Sequence, residues 1–113
     1  MREQKFEISN YNGNGKYQRL LGGVPQTKGM KSGCVVLAPG ESIGAHSTGE
    51  KEEAIIILEG RVQVVLNGAP ACVAEQGQLV YIPPRTDHDM TNNGVSSARY
   101  IYVVSPVVPE PAC

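Results

Sequence analysis

The stretch Ala45–Gly60, which reads AHSTGEKEEAIIILEG, decides how the rest of this chain is interpreted. One histidine and four carboxylates flank an apolar run, AIIIL, that has the length and composition of a β-strand. Histidine and carboxylate side chains are common metal ligands, but a charged loop leading into a strand has the same composition. The stretch therefore poses two alternatives, half of a metal site or an acidic loop.

The pattern of the whole chain predicts an all-β fold. Thirteen Gly and eight Pro in 113 residues separate short runs of Val, Ile, Leu and Tyr, and no segment shows a sustained helical apolar spacing. Roughly ten strands of about four to seven residues with short loops are typical of a small β-barrel or jelly roll. We predict a single domain over residues 1–113.

Two details of the strand assignment are specific enough to test. RVQVVLNG (61–68) alternates cleanly and is predicted to form a hairpin with AIIIL across Glu59-Gly60. KFEIS (5–9) is predicted as a first strand, followed by a hairpin-type turn at YNGNG (11–15). The remaining predicted strands are KYQRLL (16–21), SGCVVLA (32–38), SIGAHS (42–47), ACVAEQG (71–77), QLVYIPP (78–84), DHDMTNN (87–93) and SARYIYVV (97–104), with an irregular tail after them.

Composition excludes several classes of function. Ten Lys+Arg against eleven Asp+Glu, with no basic run, argue against a nucleic-acid partner. The cysteines Cys34, Cys72 and Cys113 are odd in number and form no CxxC, which argues against a disulfide framework and a thiolate zinc site. The first ten residues lack the apolar core of a signal peptide, and AIIIL is too short to span a bilayer. We expect a cytoplasmic protein without a membrane partner.

The two histidines of the chain, His46 and His88, each belong to a spaced pattern. The patterns are Gly40-X5-His46-X-Thr48-X4-Glu53-X6-Gly60 and Gly77-X5-Pro83-X-Arg85-X2-His88-X3-Asn92. They resemble the paired motifs of the cupin superfamily, G(X)5HXH(X)3-4E(X)6G and G(X)5PXG(X)2H(X)3N, in its small RmlC-like, cupin 2 form. Motif 1 spans about residues 40–60 and motif 2 about 77–92, roughly half of the chain.

The resemblance implies a small double-stranded jelly roll that holds a metal ion inside the barrel. Carried over residue by residue, His46, Glu53 and His88 fall on ligand positions. Two imidazoles and one carboxylate make the set of a facial triad, which leaves positions open for substrate or O₂. Fe(II) is the first candidate, and Mn, Ni, Zn and Co are alternatives. A metal-free barrel in which both histidines only form hydrogen bonds is the alternative interpretation.

The chain departs from the motifs at Thr48 and Arg85. Thr48 replaces the second histidine of motif 1, and we expect its hydroxyl to bind a metal-bound water or a substrate, which makes it a candidate catalytic residue. Arg85 replaces the glycine of motif 2, and its presence predicts a backbone position that does not need a positive φ. At the mouth of a pocket its guanidinium could bind a carboxylate or phosphate of a substrate, and a solvated turn residue is the alternative.

Alternation along the strands adds further pocket candidates. Met90 shares the face of His88, and Tyr100 and Tyr102 share one face of the last strand. Met90 and Tyr100 are candidate substrate contacts, and the Tyr102 hydroxyl is a candidate acid or substrate ligand, with core packing as the alternative for all three. Cys34 is predicted to be a buried core residue.

The sequence supports three hypotheses of function. The first is a metalloenzyme, a dioxygenase, isomerase, decarboxylase or lyase, that acts on a small anionic or polyhydroxy molecule inside the barrel. The second is a non-catalytic module that binds a sugar-like ligand, with an empty or degenerate metal site. The third is a purely structural domain. Because AIIIL and VVL are apolar on both faces, we also predict a homodimer that covers the outer face.

Overall fold

The computed structural model of the protein describes residues 6–13 and 15–108, and the regular structure in these ranges consists of β-strands. The nine strands are β1 (Tyr17–Gly22), β2 (Lys31–Leu37), β3 (His46–Ser47), β4 (Lys51–Glu59), β5 (Arg61–Leu66), β6 (Ala69–Glu75), β7 (Leu79–Ile82), β8 (Asp87–Thr91) and β9 (Ala98–Pro106). The prediction of an all-β fold is confirmed. The described part of the chain has no helix long and apolar enough to cross a membrane.

The strands form two antiparallel sheets. The first has five strands in the order β1-β2-β9-β4-β7, and the second has four in the order β3-β8-β5-β6. From β2 onward the chain crosses between the sheets at every connection except the one from β5 to β6. This repeated crossing wraps the chain into a jelly roll.

The core lies between the two sheets because each strand presents alternate residues to it. In β4, Ile55 and Ile57 are buried, whereas Ile56 between them is 44% exposed on the outer face. In β5, Val62 and Val64 are buried in the same way. The other residues of the core are Val35, Leu37, Ala74, Ile82, Met90, Ala98 and Tyr100.

The predicted hairpin between β4 and β5 is wrong. β4 pairs with β7 and β9, whereas β5 pairs with β6 and β8 in the other sheet. At Gly60 (φ 71°) the chain turns out of one sheet into the other, so that Ile57 and Val62 belong to facing layers of the core. Alternation identifies which residues point inward, but it does not show which strand supplies the hydrogen bonds.

A two-residue turn closes the hairpin that does form, between β5 and β6. Leu66 pairs with Ala69 across Asn67 and Gly68, which have φ angles of 50° and 81°. Positive φ at both central residues is the geometry of a type I′ turn, which Asn-Gly sequences favour. Asn67-Gly68 therefore joins β5 in a hairpin to the strand that follows it, and not to β4 as predicted.

The predicted first strand, KFEIS, is not a strand in its described part, 6–9; Lys5 lies outside the described residues. Phe6 and Ile8 are 84% and 78% exposed, so the apolar side chains have no sheet to cover. The segment after them is held by polar contacts instead: Gln18 Nε2 donates to Asn10 O at 2.8 Å. Residue 14 of the predicted YNGNG turn, the end of the tail (109–113) and Cys113 also lie outside the described residues.

Candidate metal centre

Three side chains from three strands converge at one end of the space between the sheets. The pairing of β3 with β8 puts His46 directly opposite His88, and their ring centroids lie 4.3 Å apart. Glu53 reaches them from β4 in the other sheet. One ligand atom from each of the three residues lies within 4.8 Å of the others. His46, Glu53 and His88 therefore form a group that could hold a metal ion.

Backbone carbonyls fix the orientation of both imidazoles. His46 Nδ1 lies 2.9 Å from Gly44 O, and His88 Nδ1 lies 3.2 Å from Thr86 O. A carbonyl oxygen can only accept, so each Nδ1 carries a proton and donates it. The lone pair of each neutral ring is then on Nε2. Metal-binding histidines are commonly held in this way, through a hydrogen bond from the other ring nitrogen.

The buried Nε2 of His88 gives the strongest indication that a cation belongs here. It lies 2.8 Å from Glu53 Oε1, but the contact lacks the geometry of a directed hydrogen bond, and Nε2 has no hydrogen-bond partner among the described residues. A neutral imidazole lone pair and a carboxylate oxygen repel each other at this distance unless a cation separates them. Either a proton or a metal ion resolves the contact, and two imidazoles with a carboxylate suit a divalent transition metal.

In metal-free protein, a proton on His88 Nε2 satisfies the contact with Glu53, and this protonation has a measurable effect on stability. The Glu53 carboxylate raises the pKa of His88 and outweighs the opposing effect of burial. A histidine whose pKa is higher in the folded state stabilises the fold below its unfolded pKa of about 6.5. We therefore expect the stability that His88 contributes to decline as pH rises through the higher folded pKa. In chelator, the difference in unfolding free energy between wild type and His88→Gln should shrink from pH 5.5 to 8.5, and a difference that grows would contradict this.

A cavity of about 260 Å³ opens beside the three side chains. The residues that line it are Tyr17, Ile43, His46, Glu53, Ile55, His88, Met90, Tyr100, Tyr102 and Val104. The sequence offered two alternatives, pocket lining or core packing, for Met90, Tyr100 and Tyr102. All three line the cavity, and Met90 and Tyr100 also belong to the core. Burial raises the pKa of Tyr100, so its hydroxyl stays protonated at neutral pH.

Thr48 does not line the cavity. We expected its hydroxyl to bind a metal-bound water or a substrate, but the structure shows other partners. Its buried hydroxyl donates to Pro83 O at 2.7 Å and accepts from Thr86 N at 3.1 Å. β3 ends at Ser47, so the alternation that would place Thr48 on the face of His46 no longer applies. The side chain instead joins the end of β3 to the turn that precedes His88.

Removing this hydroxyl should loosen the turn. Thr48→Val keeps the shape of the side chain but leaves Pro83 O and Thr86 N without a partner. We expect a loss of about 1–3 kcal/mol in the free energy of unfolding, because two part-buried hydrogen bonds of about 0.5–1.5 kcal/mol each are lost. Chemical unfolding measures it, and Thr48→Ser is the control because it keeps the hydroxyl. Equal stability of Thr48→Val and wild type would show that these hydrogen bonds contribute nothing.

Arg85 does take the left-handed conformation of the motif glycine, so the prediction about its backbone is wrong. Its φ is 55°, and its N–H donates to Gly49 O at 2.8 Å. The turn keeps its shape despite the side chain, at a cost of about 1–2 kcal/mol. The guanidinium binds both carboxylate oxygens of Glu50, at 3.0 and 3.1 Å, which lowers the pKa of Glu50. Arg85 is exposed and does not line the cavity.

Four residues of the lining were not predicted from the sequence, Tyr17, Ile43, Ile55 and Val104. Tyr17 belongs to β1, the edge strand of the five-stranded sheet, and two strands, β2 and β9, separate β1 from β4. No spacing rule connects it to either motif, because its position depends on how β1 pairs with β2. Val104 was detectable in principle, since it shares alternation with Tyr100 and Tyr102.

Comparison with known proteins agrees with this geometry. The model of the Cupin_2 family, a cupin domain, matches residues 33–104. The chain belongs to this family, and its fold is that of a cupin.

Two curated relatives come from Streptomyces. The chain is 37% identical over 92 residues to "Polyketide synthase CurC" of Streptomyces cyaneus, with 78% of this chain and 58% of that protein covered. It is 29% identical over 90 residues to "Tetracenomycin polyketide synthase protein TcmJ" of Streptomyces glaucescens, with 77% and 60% covered. The chain thus spans about three-fifths of the length of these relatives.

Among solved structures, a "predicted oxalate decarboxylase" from Thermotoga maritima superimposes with a TM-score of 0.74. The superposition covers 88% of this chain and 90% of the other at 23% sequence identity. Similarity at this level of identity shows the shared fold alone.

Proposed function

We propose that this chain is a small metalloenzyme in which His46, Glu53 and His88 hold one divalent transition metal, with Fe(II) the first candidate and Mn, Ni, Zn and Co as alternatives. The observation that carries the proposal is the buried Nε2 of His88, which faces Glu53 Oε1 at 2.8 Å beside a cavity. A metal bound there supplies a Lewis acid or a centre that activates O₂ or water. Dioxygenase, isomerase, decarboxylase and lyase reactions all fit this chemistry.

The walls of the cavity favour a substrate with an apolar body and a few oxygen atoms. Ile43, Ile55, Met90 and Val104 supply apolar surface to the same cavity that the metal-facing side chains and the tyrosines line. A polyhydroxy molecule such as a sugar would leave most of its hydroxyls without partners there, which is costly. The names of the curated relatives make a small polyketide, a carbon chain that carries oxygens at intervals, the first candidate.

A short polyketide acid tests the proposal directly. The protein is loaded with Fe(II) or Mn(II) and incubated with 3,5-dioxohexanoate, and products are followed by mass spectrometry. We expect consumption that chelator and Glu53→Gln abolish and that Glu52→Gln preserves. Glu52 is the matched control because it is the adjacent carboxylate on the other face of β4, bonded to Tyr81. Consumption that is equal in chelated and loaded protein would contradict metal catalysis.

A binding module is the second candidate function, and one observation favours it. Apart from the three metal-facing residues, the only ionisable groups in the lining are the hydroxyls of Tyr17, Tyr100 and Tyr102. The described part of the cavity therefore offers few groups for acid–base catalysis. If this candidate is correct, the loaded protein binds 3,5-dioxohexanoate saturably and leaves it unchanged.

We propose a homodimer that covers the outer face of β4 and β7. Ile56 pairs with Leu79, and Tyr81 is 60% exposed beside them. A second copy of this face would bury these side chains, because identical patches meet across a two-fold axis. We expect light scattering to give the mass of two chains for wild type and of one chain for Leu79→Lys. A wild-type monomer at micromolar concentration would contradict the dimer.

We also propose a cytoplasmic location. Cys34 and Cys72 are free thiols in the structure, one buried and one exposed. Free thiols persist where the compartment is reducing.

A further inference from the structure

A pair of tyrosine hydroxyls forms a second polar group in the cavity. Tyr17 in β1 and Tyr102 in β9 line it together, and their hydroxyl oxygens lie 2.6 Å apart. Their rings are stacked, with centroids 6.4 Å apart and an angle of 25° between the planes. We call Tyr17 and Tyr102 the tyrosine pair.

The tyrosine pair depends on a glycine between its two strands. In β2, Gly33 lies directly opposite Tyr102. A Cβ atom on Gly33 would lie 2.8 Å from the Tyr17 hydroxyl oxygen and 2.9 Å from that of Tyr102. Gly33 does not have a positive φ, so the backbone itself would accept another residue. Glycine is needed here for space, because both hydroxyls rest against the bare strand.

The pair keeps one O–H group available. One hydroxyl donates to the other, and the remaining O–H has no acceptor among the described residues. Burial and the hydrogen bond to Tyr17 raise the pKa of Tyr102, so the group is a donor at neutral pH. An incoming oxygen atom, above all an anionic one, would accept this hydrogen bond.

Strand register places the tyrosine pair at a distance from the metal-facing residues. Glu53 pairs with Val104, whereas Ile55, two residues further along β4, pairs with Tyr102. Gly33 is therefore two strands and two residues away from Glu53, about 12 Å between Cα atoms by ordinary strand spacing. The surface between is apolar, with Ile55 on the five-stranded sheet and Met90 facing it from β8.

We propose that the tyrosine pair, which packs against Gly33, binds an oxygen atom at one end of an elongated ligand, the far end. The other end of the ligand, the near end, faces His46, Glu53 and His88. The ligand class is an elongated molecule with an apolar middle and oxygen atoms at both ends, the far one a carboxylate, enol or phenol. This inference rests on the proposed function for the near end only. It makes Tyr17 and Gly33 determinants of ligand choice, although neither belongs to a motif.

Two catechols that differ only at the far end test this. The probes are 3-(3,4-dihydroxyphenyl)propionate and 4-ethylcatechol, which lacks the carboxylate, and calorimetry without O₂ gives their affinities for Zn(II)-loaded protein. We expect wild type to prefer the carboxylate probe at least about tenfold, roughly one charge-assisted hydrogen bond. The Tyr17→Phe, Tyr102→Phe double variant, which removes both O–H donors, and Gly33→Ala should reduce the preference to within twofold, whereas Tyr81→Phe, on the outer face, should keep it.

A spectroscopic readout separates this inference from the metal. The chain has five tyrosines, so tyrosine labelled with ¹³C at Cζ gives few signals, which the Phe variants assign. We expect the carboxylate probe, and not 4-ethylcatechol, to shift the Tyr17 and Tyr102 signals with or without metal. If the protein binds no metal but these shifts occur, the proposed function fails and this inference stands. A preference that survives in the Tyr17→Phe, Tyr102→Phe double variant, or that wild type lacks, would overturn it.

Discussion

Gly60→Ala is expected to lower the free energy of unfolding by about 3 kcal/mol or more. Gly60 has a φ of 71°, where a residue with a side chain is strained by about 1–2 kcal/mol. A Cβ would also lie 2.8 Å from Ser97 O and 3.1 Å from Ala98 Cα. Both neighbours are backbone atoms at the start of β9, and Ala98 is fully buried, so they have little room to move. The backbone strain and the overlap of the Cβ with these atoms both lower the free energy of unfolding, and urea unfolding measures their combined effect.

Gly77→Ala is the matched control for this prediction. Gly77 also has a positive φ, 86°, but nothing lies within 4 Å of a Cβ at that position. Its substitution should therefore cost only the backbone strain, about 1–2 kcal/mol. If Gly60→Ala is no more costly than Gly77→Ala, the close contact at the crossing between the two sheets does not matter for stability.

Glu53→Gln is expected to weaken metal binding at least about 100-fold. The substitution keeps the shape of the side chain but removes the only carboxylate of the three-residue group. Loss of an outer partner of a metal ligand already costs about 10–100-fold in affinity, and loss of the anionic ligand itself should cost more. Competition against a chromophoric chelator, with Ni(II) or Zn(II), gives the affinities.

Two further variants make the result interpretable. Glu52→Gln removes a half-buried carboxylate one position away, which faces the opposite side of β4 and bonds Tyr81, and should leave the affinity within about threefold. His46→Ala alters an exposed side chain, so the fold should persist while affinity falls as in Glu53→Gln. Equal losses in Glu52→Gln and Glu53→Gln would mean that general negative charge, and not a ligand, holds the metal.

The grouping of His46, Glu53 and His88 was the part of the molecule most accessible from the sequence. His46, Glu53 and His88 occupy fixed spacings in two motifs, and the spacing reflects strand geometry. Glu53 and Ile55 share the inner face of β4, as alternation requires. Gly40, Gly60 and Gly77 of the motifs all have positive φ, so these fixed positions record turns.

The sequence failed where the answer depended on non-local pairing. It predicted a β4–β5 hairpin because β5 alternates cleanly and directly follows β4 across Glu59-Gly60, yet alternation is the same for strands in one sheet and in facing sheets. The sequence predicts that Thr48 binds a metal-bound water or a substrate, whereas its hydroxyl bonds Pro83 O and Thr86 N. Arg85 was expected to avoid a conformation that its turn nevertheless imposes.

The tyrosine pair shows the same limit at longer range. Tyr17 and Tyr102 are separated by 85 positions and meet only because β2 pairs with both β1 and β9. Gly33 reads in the sequence as a residue that weakens a strand. Gly33 leaves room for the two tyrosine hydroxyls because it has no Cβ. This role becomes visible only when the register of β1, β2 and β9 is known.

The metal centre itself is tested most directly by X-ray absorption spectroscopy of protein loaded with one equivalent of Ni(II) or Zn(II). We predict scattering from two imidazoles and oxygen ligands at about 2.0–2.2 Å, without sulfur, and loss of the imidazole signal in a His46→Ala, His88→Ala double variant. A spectrum without imidazole, or one that is identical in the double variant, would contradict the assignment of His46, Glu53 and His88 as the metal ligands.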